Sequence, residues 1–146
     1  MQIRTTRFGP LEIEAEDLLG FPSGLLGLED CRHWVLLADA QDDALGWLQS
    51  ASRPEIALAV VSPRRFVPDY QFRVYRSELV PLGLKQVKDA HVLAIVGKHE
   101  NAITLNLKAP VVINLERRLG RQVISHGEQP VQYQLGGHAT PRKKIA

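Results

Sequence analysis

The sequence predicts a mainly β, compact, barrel-like single domain of short antiparallel strands with one or two short helical turns. First, residues 103–115 carry an apolar side chain at every odd position, a period of two that is typical of extended chain. Second, about nine short strand-like runs are spaced like hairpins along the chain. Third, Pro81 and Gly83 interrupt the leucines of residues 77–88, so any helix there is limited to one or two turns.

The elements follow from local patterns in chain order. Gly9-Pro10 separates two alternating runs and predicts an amino-terminal hairpin, and residues 18–30 read as a loop held by apolar anchors. Strands are predicted over residues 33–38, 45–50, 56–61, 70–75, 91–96, 103–115 and 123–124. Residues 116–122 read as a turn centred on Gly120.

The run from residue 103 to residue 115 is too long for one ordinary strand, since it would extend roughly 43 Å at about 3.3 Å per residue. We expect it to bend or break at Pro110, which lacks the N–H that a central ladder needs. Proline there fits an edge, a bulge or a corner. An exposed edge near Pro110 could also accept a partner strand.

The bulk composition fits one domain, with 146 residues of which 45% are hydrophobic. No stretch approaches the roughly 20 apolar residues of a membrane span, so we expect a cytoplasmic protein with no membrane partner. The single cysteine, Cys31, agrees with a reducing compartment. Charge is asymmetric: residues 1–60 hold four basic and ten acidic side chains, whereas residues 61–146 hold fourteen and six. In the folded molecule the acidic and basic side chains either alternate over the surface or leave one basic face.

Catalysis has little support in the sequence. Cys31 and His33 could form a nucleophile and base or part of a metal site, but a lone C-x-H lacks further ligands. No glycine-rich phosphate loop connects a strand to a helix. We therefore predict no enzyme, no cofactor and no metal, with a Cys31–His33 enzyme kept as an alternative.

Direct RNA binding is a further alternative. Arg64 and Arg65 precede Phe66, and Tyr70, Phe72, Arg73 and Tyr75 follow, so cations alternate with aromatic rings on a predicted β surface. Aromatic rings can stack bases while arginines contact phosphates. The same aromatic parity equally suits a core face.

Eight pieces of the chain, in order, resemble the flagellar assembly factor FliW family. They are MQIRTTRFGPLEI, GFPSGLLGLED, HWVLLAD, WLQS, ALAVVSP, DYQFRV, LNLKAPVVIN and GRQVI, and together they extend over residues 1–124. The resemblance implies a β-barrel-like domain, placed here at residues 1–130, and leaves residues 131–146 as a flexible basic tail.

The resemblance also implies a regulatory role through protein contacts. FliW family members bind CsrA, an RNA-binding translational regulator, and keep it from repressing flagellin mRNA; they also bind flagellin, which thereby releases CsrA. No direct nucleic-acid binding is implied. Matching positions are hypothesised to contribute to partner surfaces: Phe21, Leu25, Leu28, Asn106, Lys108, Asn114, Gly120, Arg121 and Gln122.

One segment departs from the family pattern. Members carry an acidic stretch after the DYxF segment, whereas residues 73–90 here contain four basic and two acidic side chains. A like-charged encounter would slow association with a basic partner surface. Glu12, Glu14, Glu16 and Asp17 are the candidate substitute contacts.

Overall fold

The chain folds around a closed barrel of seven strands. The structure is a computed structural model that describes residues 1–135. Its strands are β1 (Gln2–Ile3), β2 (Leu11–Glu12), β3 (Leu18–Gly20), β4 (His33–Ala38), β5 (Leu45–Ser50), β6 (Ala57–Val61), β7 (His91–His99), β8 (Ala102–Asn114), β9 (Leu119–Gln122) and β10 (Tyr133–Gln134). Within residues 1–135 one α-helical turn, α1, covers Arg76–Leu79, and 3₁₀ turns cover Ala15–Asp17, Pro63–Arg65, Val80–Leu82 and Val87–Asp89.

The barrel closes because β9 pairs on both of its sides. The strands run in the order β8, β7, β6, β5, β4, β3, β9, and β9 returns to pair with β8. The predicted mainly β barrel with short helical turns is therefore confirmed. One pair, β3 with β9, is parallel and joins Gly20 to Leu119, a pairing that no local pattern indicated. The predicted amino-terminal hairpin is also present as β1 with β2.

Strand β8 contains the predicted irregularity at Pro110. Ile95 of β7 pairs with Asn106, but Leu93 pairs with Val111, so the register shifts between them. Four residues of β8, from 107 to 110, therefore lie opposite Ala94 alone. The Asn106 side-chain oxygen accepts the N–H groups of Lys108 at 3.1 Å and of residue 109 at 3.0 Å. The expected bulge is confirmed, and the Asn106 side chain accepts two backbone N–H groups within it.

The second half of β8 is buried on both faces, which the strict alternation did not predict. Val112 and Asn114, at even positions, are as inaccessible as their odd neighbours. Leu82 from the Val80–Leu82 turn packs on Val112, so this segment covers the outer face of the barrel. Ile103, at the start of the run, is 44% exposed although the pattern placed it inside.

Two predicted strands are wrong. Residues 70–75 alternate in burial as expected but form no ladder. Instead, the Arg73 N–H donates to the Ser125 hydroxyl, and the Arg73 carbonyl accepts the His126 N–H. Residues 123–124 are likewise not a strand; the turn lies at residues 115–118, and Gly120 is inside β9.

Gly120 is required by packing rather than by a turn. A Cβ built on it would lie 2.2 Å from the Phe21 ring, closer than real carbon atoms approach. Phe21 is completely buried and makes an edge-to-face contact with Trp34, with 6.5 Å between ring centroids. The main core cluster therefore reaches the barrel wall at β9, and only glycine leaves room for it.

The carboxy-terminal boundary stays a prediction. Tyr133 and Gln134 pair with Leu105 and Thr104 of β8. The predicted flexible tail began at residue 131, and its residues 136–146 lie outside the described residues.

We predict that Gly120→Ala destabilises the fold by about 1–3 kcal/mol, because the added methyl overpacks the Phe21 ring. Denaturant unfolding followed by tryptophan fluorescence measures the loss. Gly20→Ala is the matched strand control, since the nearest atoms to its Cβ would lie at an ordinary 3.7 Å and 3.8 Å. In a Phe21→Leu background the cost of Gly120→Ala should shrink; an unchanged cost in that background would contradict the packing explanation.

Candidate functional site

The loop at residues 20–32 is fixed to the barrel by its apolar anchors. Phe21 and Leu25 are buried and Leu28 packs partly buried against the same core cluster. Leu26, between them, is 54% exposed, and its N–H donates to the Gln122 side-chain oxygen at 2.8 Å. Phe21 and Leu25 can thus influence a partner only through the loop shape. Leu26 is an exposed apolar residue of this loop that the sequence pattern did not single out, because nothing local distinguishes it from Leu25.

The polar candidates on β8 are engaged within the fold. Asn106 holds the bulge, and the Lys108 ammonium donates to the Gly127 carbonyl. Asn114 is buried; its amide donates to the Leu82 carbonyl at 2.9 Å, and its oxygen accepts the Glu116 N–H at 3.1 Å. Asn114 therefore ties the outer segment, residues 70–90, to the barrel. Its predicted contribution to a partner surface can only be indirect.

The candidates on β9 connect neighbouring segments. The Arg121 guanidinium donates to the Glu78 carbonyl at 3.1 Å, and the Gln122 amide donates to the residue 109 carbonyl at 3.0 Å. Both side chains are half-buried. Gln122 links the bulge to the Leu26 loop, while Gly120 makes room for Phe21. The structure thus brings together most of the nine candidates as a supporting layer around β8 and β9.

The four acidic candidates form an exposed acidic face beside β2 and the first 3₁₀ turn. Glu12, Glu14, Glu16 and Asp17 are all exposed. The Asp17 carboxylate accepts the Glu14 N–H at 2.8 Å and so shapes the turn. Within residues 1–135, no ion pair to a basic side chain involves any of these four carboxylates. The acidic face is therefore available to a basic partner surface.

A second surface, the basic groove, lies between the segment 70–90 and the start of β7. It is an open groove of about 1640 Å³. Its basic lining residues are Arg64, Arg73, Arg76, Lys85 and Lys88. Among the described residues that line it there is no aspartate or glutamate. The sequence showed the net charge of this segment, but the groove itself depends on how the segment packs on the barrel.

Three acidic residues next to the basic groove, Glu78, Glu116 and Asp89, already have partners or lie at its end. The Tyr75 N–H and the His126 ring hold the pKa of Glu78 below its usual value. Glu116 pairs with Lys85 at 3.6 Å, and Asp89 lines a smaller adjoining pocket with Lys88. The groove consequently keeps an excess of positive charge.

The aromatic side chains at the basic groove face the core instead of forming a base-stacking platform. Tyr70 is 5% exposed, and its hydroxyl donates to the Leu107 carbonyl at 2.7 Å. Phe72 stacks on Tyr70 with ring centroids 6.0 Å apart. Tyr75 is exposed, but its ring lies against the His126 ring with 4.4 Å between the two ring centroids. Direct RNA binding would need accessible rings for base stacking, and the rings of Tyr70 and Phe72 are not accessible in this way.

The Cys31–His33 alternative also lacks a site. Cys31 is completely buried, with its sulfur 3.8 Å from the Asp30 carboxylate, while His33 is exposed at the start of β4. Across the described part of the chain, no three histidine, cysteine or carboxylate side chains are grouped to hold a metal ion. In the same residues, no helix is long and apolar enough to cross a membrane.

A small closed β-barrel that presents separate acidic and basic surfaces has the character of a protein-binding factor. The family model described as FliW protein matches residues 2–135. A flagellar assembly factor FliW of Bdellovibrio bacteriovorus is 41% identical over 126 residues, covering 85% of this chain and 72% of the relative. One of Natranaerobius thermophilus is 35% identical over 129 residues, covering 86% and 85%. A crystal structure of the flagellar assembly factor FliW superposes with a TM-score of 0.84 at 27% identity, covering 92% of this chain and 96% of that one.

The chain therefore belongs to the FliW family of flagellar assembly factors. This family comprises regulatory and assembly factors and is not an enzyme family. The resemblance seen in the sequence is confirmed, and it extends to the whole described barrel.

We predict that alkaline pH weakens the fold through Tyr70. Burial raises the pKa of Tyr70 to about 12, above its ordinary value of about 10. Between these values the unfolded phenol ionises while the folded one keeps its proton, so stability falls as the pH rises. Tyr70→Phe should cost roughly 1 kcal/mol near neutral pH and flatten this alkaline decline.

Unfolding curves at a series of pH values measure this effect, with the exposed Tyr75→Phe as the control. If Tyr70→Phe declines as steeply as the parent protein, then Tyr70 is not protected in the core.

Proposed function

We propose that this protein binds the translational regulator CsrA and antagonises its repression of flagellin mRNA, with flagellin as the competing or negatively coupled partner. The observation that carries the proposal is the match to the FliW family along the entire described barrel. The proposal places the protein in the cytoplasm, where translation and flagellin synthesis occur.

The acidic face is the surface that we assign to CsrA. Nucleic-acid-binding proteins carry basic surfaces, and a complementary acidic surface accelerates association and fixes orientation. Glu12 and Glu16 have free carboxylates among residues 1–135, so they retain their charge for a partner. The basic groove would repel the same partner surface.

Partner switching requires a negative coupling free energy between the two proteins. If flagellin lowers the affinity for CsrA, then CsrA lowers the affinity for flagellin by the same factor. Free flagellin would thereby release CsrA and reduce further flagellin synthesis. Direct overlap of the two surfaces and a change of shape both satisfy this relation.

We predict that calorimetric titration with CsrA from the same organism shows saturable binding, and that prior saturation with flagellin weakens it at least about tenfold, which corresponds to roughly 1.4 kcal/mol of coupling. The reverse titration should show the same factor. Single-stranded RNA is the control ligand. Absence of CsrA binding, or binding that flagellin leaves unchanged, would contradict the partner switch.

We further predict that Glu12→Lys with Glu16→Lys weakens CsrA binding roughly tenfold at low salt and reduces its salt dependence, because two attractive charges become repulsive. The matched control is Asp69→Lys with Glu128→Lys, which reverses two exposed carboxylates elsewhere. Equal affinities for the parent, test and control proteins would show that CsrA contacts another surface.

A further inference from the structure

We propose that the basic groove binds an acidic, amphipathic peptide segment of a partner protein. The inference assigns a ligand class to a surface for which the proposed function names none, and it stands whether or not CsrA occupies the acidic face. Three features of the groove support it: its charge, its exposed apolar side chains and the contacts that hold its floor.

The charge of the groove selects an anionic ligand. Five cationic side chains line it, and no carboxylate does so within the described residues. Arg76 and Lys88 make no ion pair in that part of the chain, so both charges remain available. A concave surface lined by one sign of charge concentrates ligands of the opposite sign.

The apolar content of the groove distinguishes a peptide from a simple anion. Val80 and Val87 line it and are 66% and 76% exposed. Leu79 and Leu84 lie beside them, partly buried. Large aliphatic side chains that remain in water gain free energy when a ligand covers them, at about 25 cal/mol per Å². A ligand that matches both features carries carboxylates together with aliphatic or aromatic side chains, as an amphipathic acidic segment does.

The floor of the groove is held in place from below. The Arg64 side chain donates to the Tyr70 carbonyl at 2.9 Å, and Asn114 donates to the Leu82 carbonyl at 2.9 Å. Leu82 of the outer segment packs on Val112 of β8. Because these contacts lie within the chain itself, a ligand does not have to supply them, which lowers the cost of binding.

The described structure disfavours other occupants. RNA would need accessible rings, whereas Tyr70 and Phe72 are packed in the core cluster below the groove. The residues that follow position 135 contain Arg142, Lys143 and Lys144 and no carboxylate side chain, so like charges oppose their docking. A second copy could offer its acidic face, which makes self-association an outcome that the test must distinguish.

The test uses the full chain and a fluorescein-labelled peptide of about 15 residues, with leucines at helical i, i+3, i+4 spacing and glutamates elsewhere. A peptide with glutamine in place of every glutamate, a lysine peptide and oligouridine RNA serve as comparison ligands. Fluorescence anisotropy measures affinity, and ¹H–¹⁵N NMR shifts locate the contact. We expect the glutamate peptide to bind with shifts confined to residues 62–93 and Val112, and the other three ligands to bind at least about tenfold more weakly.

Two variants connect the binding to the groove. Arg76→Glu with Lys88→Glu should weaken glutamate-peptide binding roughly tenfold or more and remove most of its salt dependence. Arg4→Glu with Lys98→Glu reverses two exposed charges outside the groove and should leave it unchanged. Val87→Ser, a mild change at an exposed position, should weaken binding severalfold without altering the net charge.

Several results would overturn the proposal. These are no binding of the glutamate peptide, equal binding of the glutamine peptide, tighter binding of RNA at the same shifts, or equal effects of the two charge reversals. Self-association that Arg76→Glu with Lys88→Glu abolishes would assign the groove to a second copy of the chain instead. Loss of CsrA or flagellin binding has no bearing on these readouts, so failure of the proposed function is separately detectable.

Discussion

The bulge in β8 is the constraint on which the rest of the structure depends. A single strand must pair with β7 along its length, with β10 at one end and with β9 at the other. The four residues opposite Ala94 let the strand change direction between these partners. Pro110 fits there because its missing N–H falls where the ladder is already interrupted, and Asn106 caps two of the freed N–H groups.

Closure at β9 follows from this bend and determines where the amino-terminal loop can lie. The second half of β8 brings β9 beside β3, and the parallel pairing there fixes Gly20 next to residue 119. Phe21, directly after β3, then enters the core against Gly120. The loop therefore closes one end of the barrel with its buried apolar side chains, while Leu26 stays exposed.

The sequence predicted the features that depend on neighbouring residues. The hairpin, the bulge at Pro110 and the short turns near Pro81 follow from local backbone chemistry. Gly120 was wrongly read as a turn because its role comes from Phe21, which is distant in sequence but adjacent in space. Residues 70–75 show strand-like alternation without strand pairing, since Ser125 and His126 replace a neighbouring strand. The basic groove could not be predicted either, because it exists only where the outer segment packs on β7 and Val112.

The acidic face and the basic groove lie at different places around the barrel. The acidic face adjoins β3, whereas the groove adjoins β7, and two strands separate them in one direction and three in the other. The barrel therefore presents two surfaces of opposite charge, an acidic face that suits a basic partner and a basic groove that suits an acidic one. Several residues that the family resemblance suggested as contacts also support the loop and the outer segment from within, and their contact with a partner stays a prediction.

The most direct test of this account is hydrogen–deuterium exchange of the protein alone and bound to CsrA. We expect CsrA to slow exchange over residues 11–18, which carry the acidic face, and to leave the buried amides at Phe21 and Leu25 unchanged. New protection confined to residues 20–32 or 106–122, with none over residues 11–18, would contradict it, because the supporting layer would then be the contact surface itself.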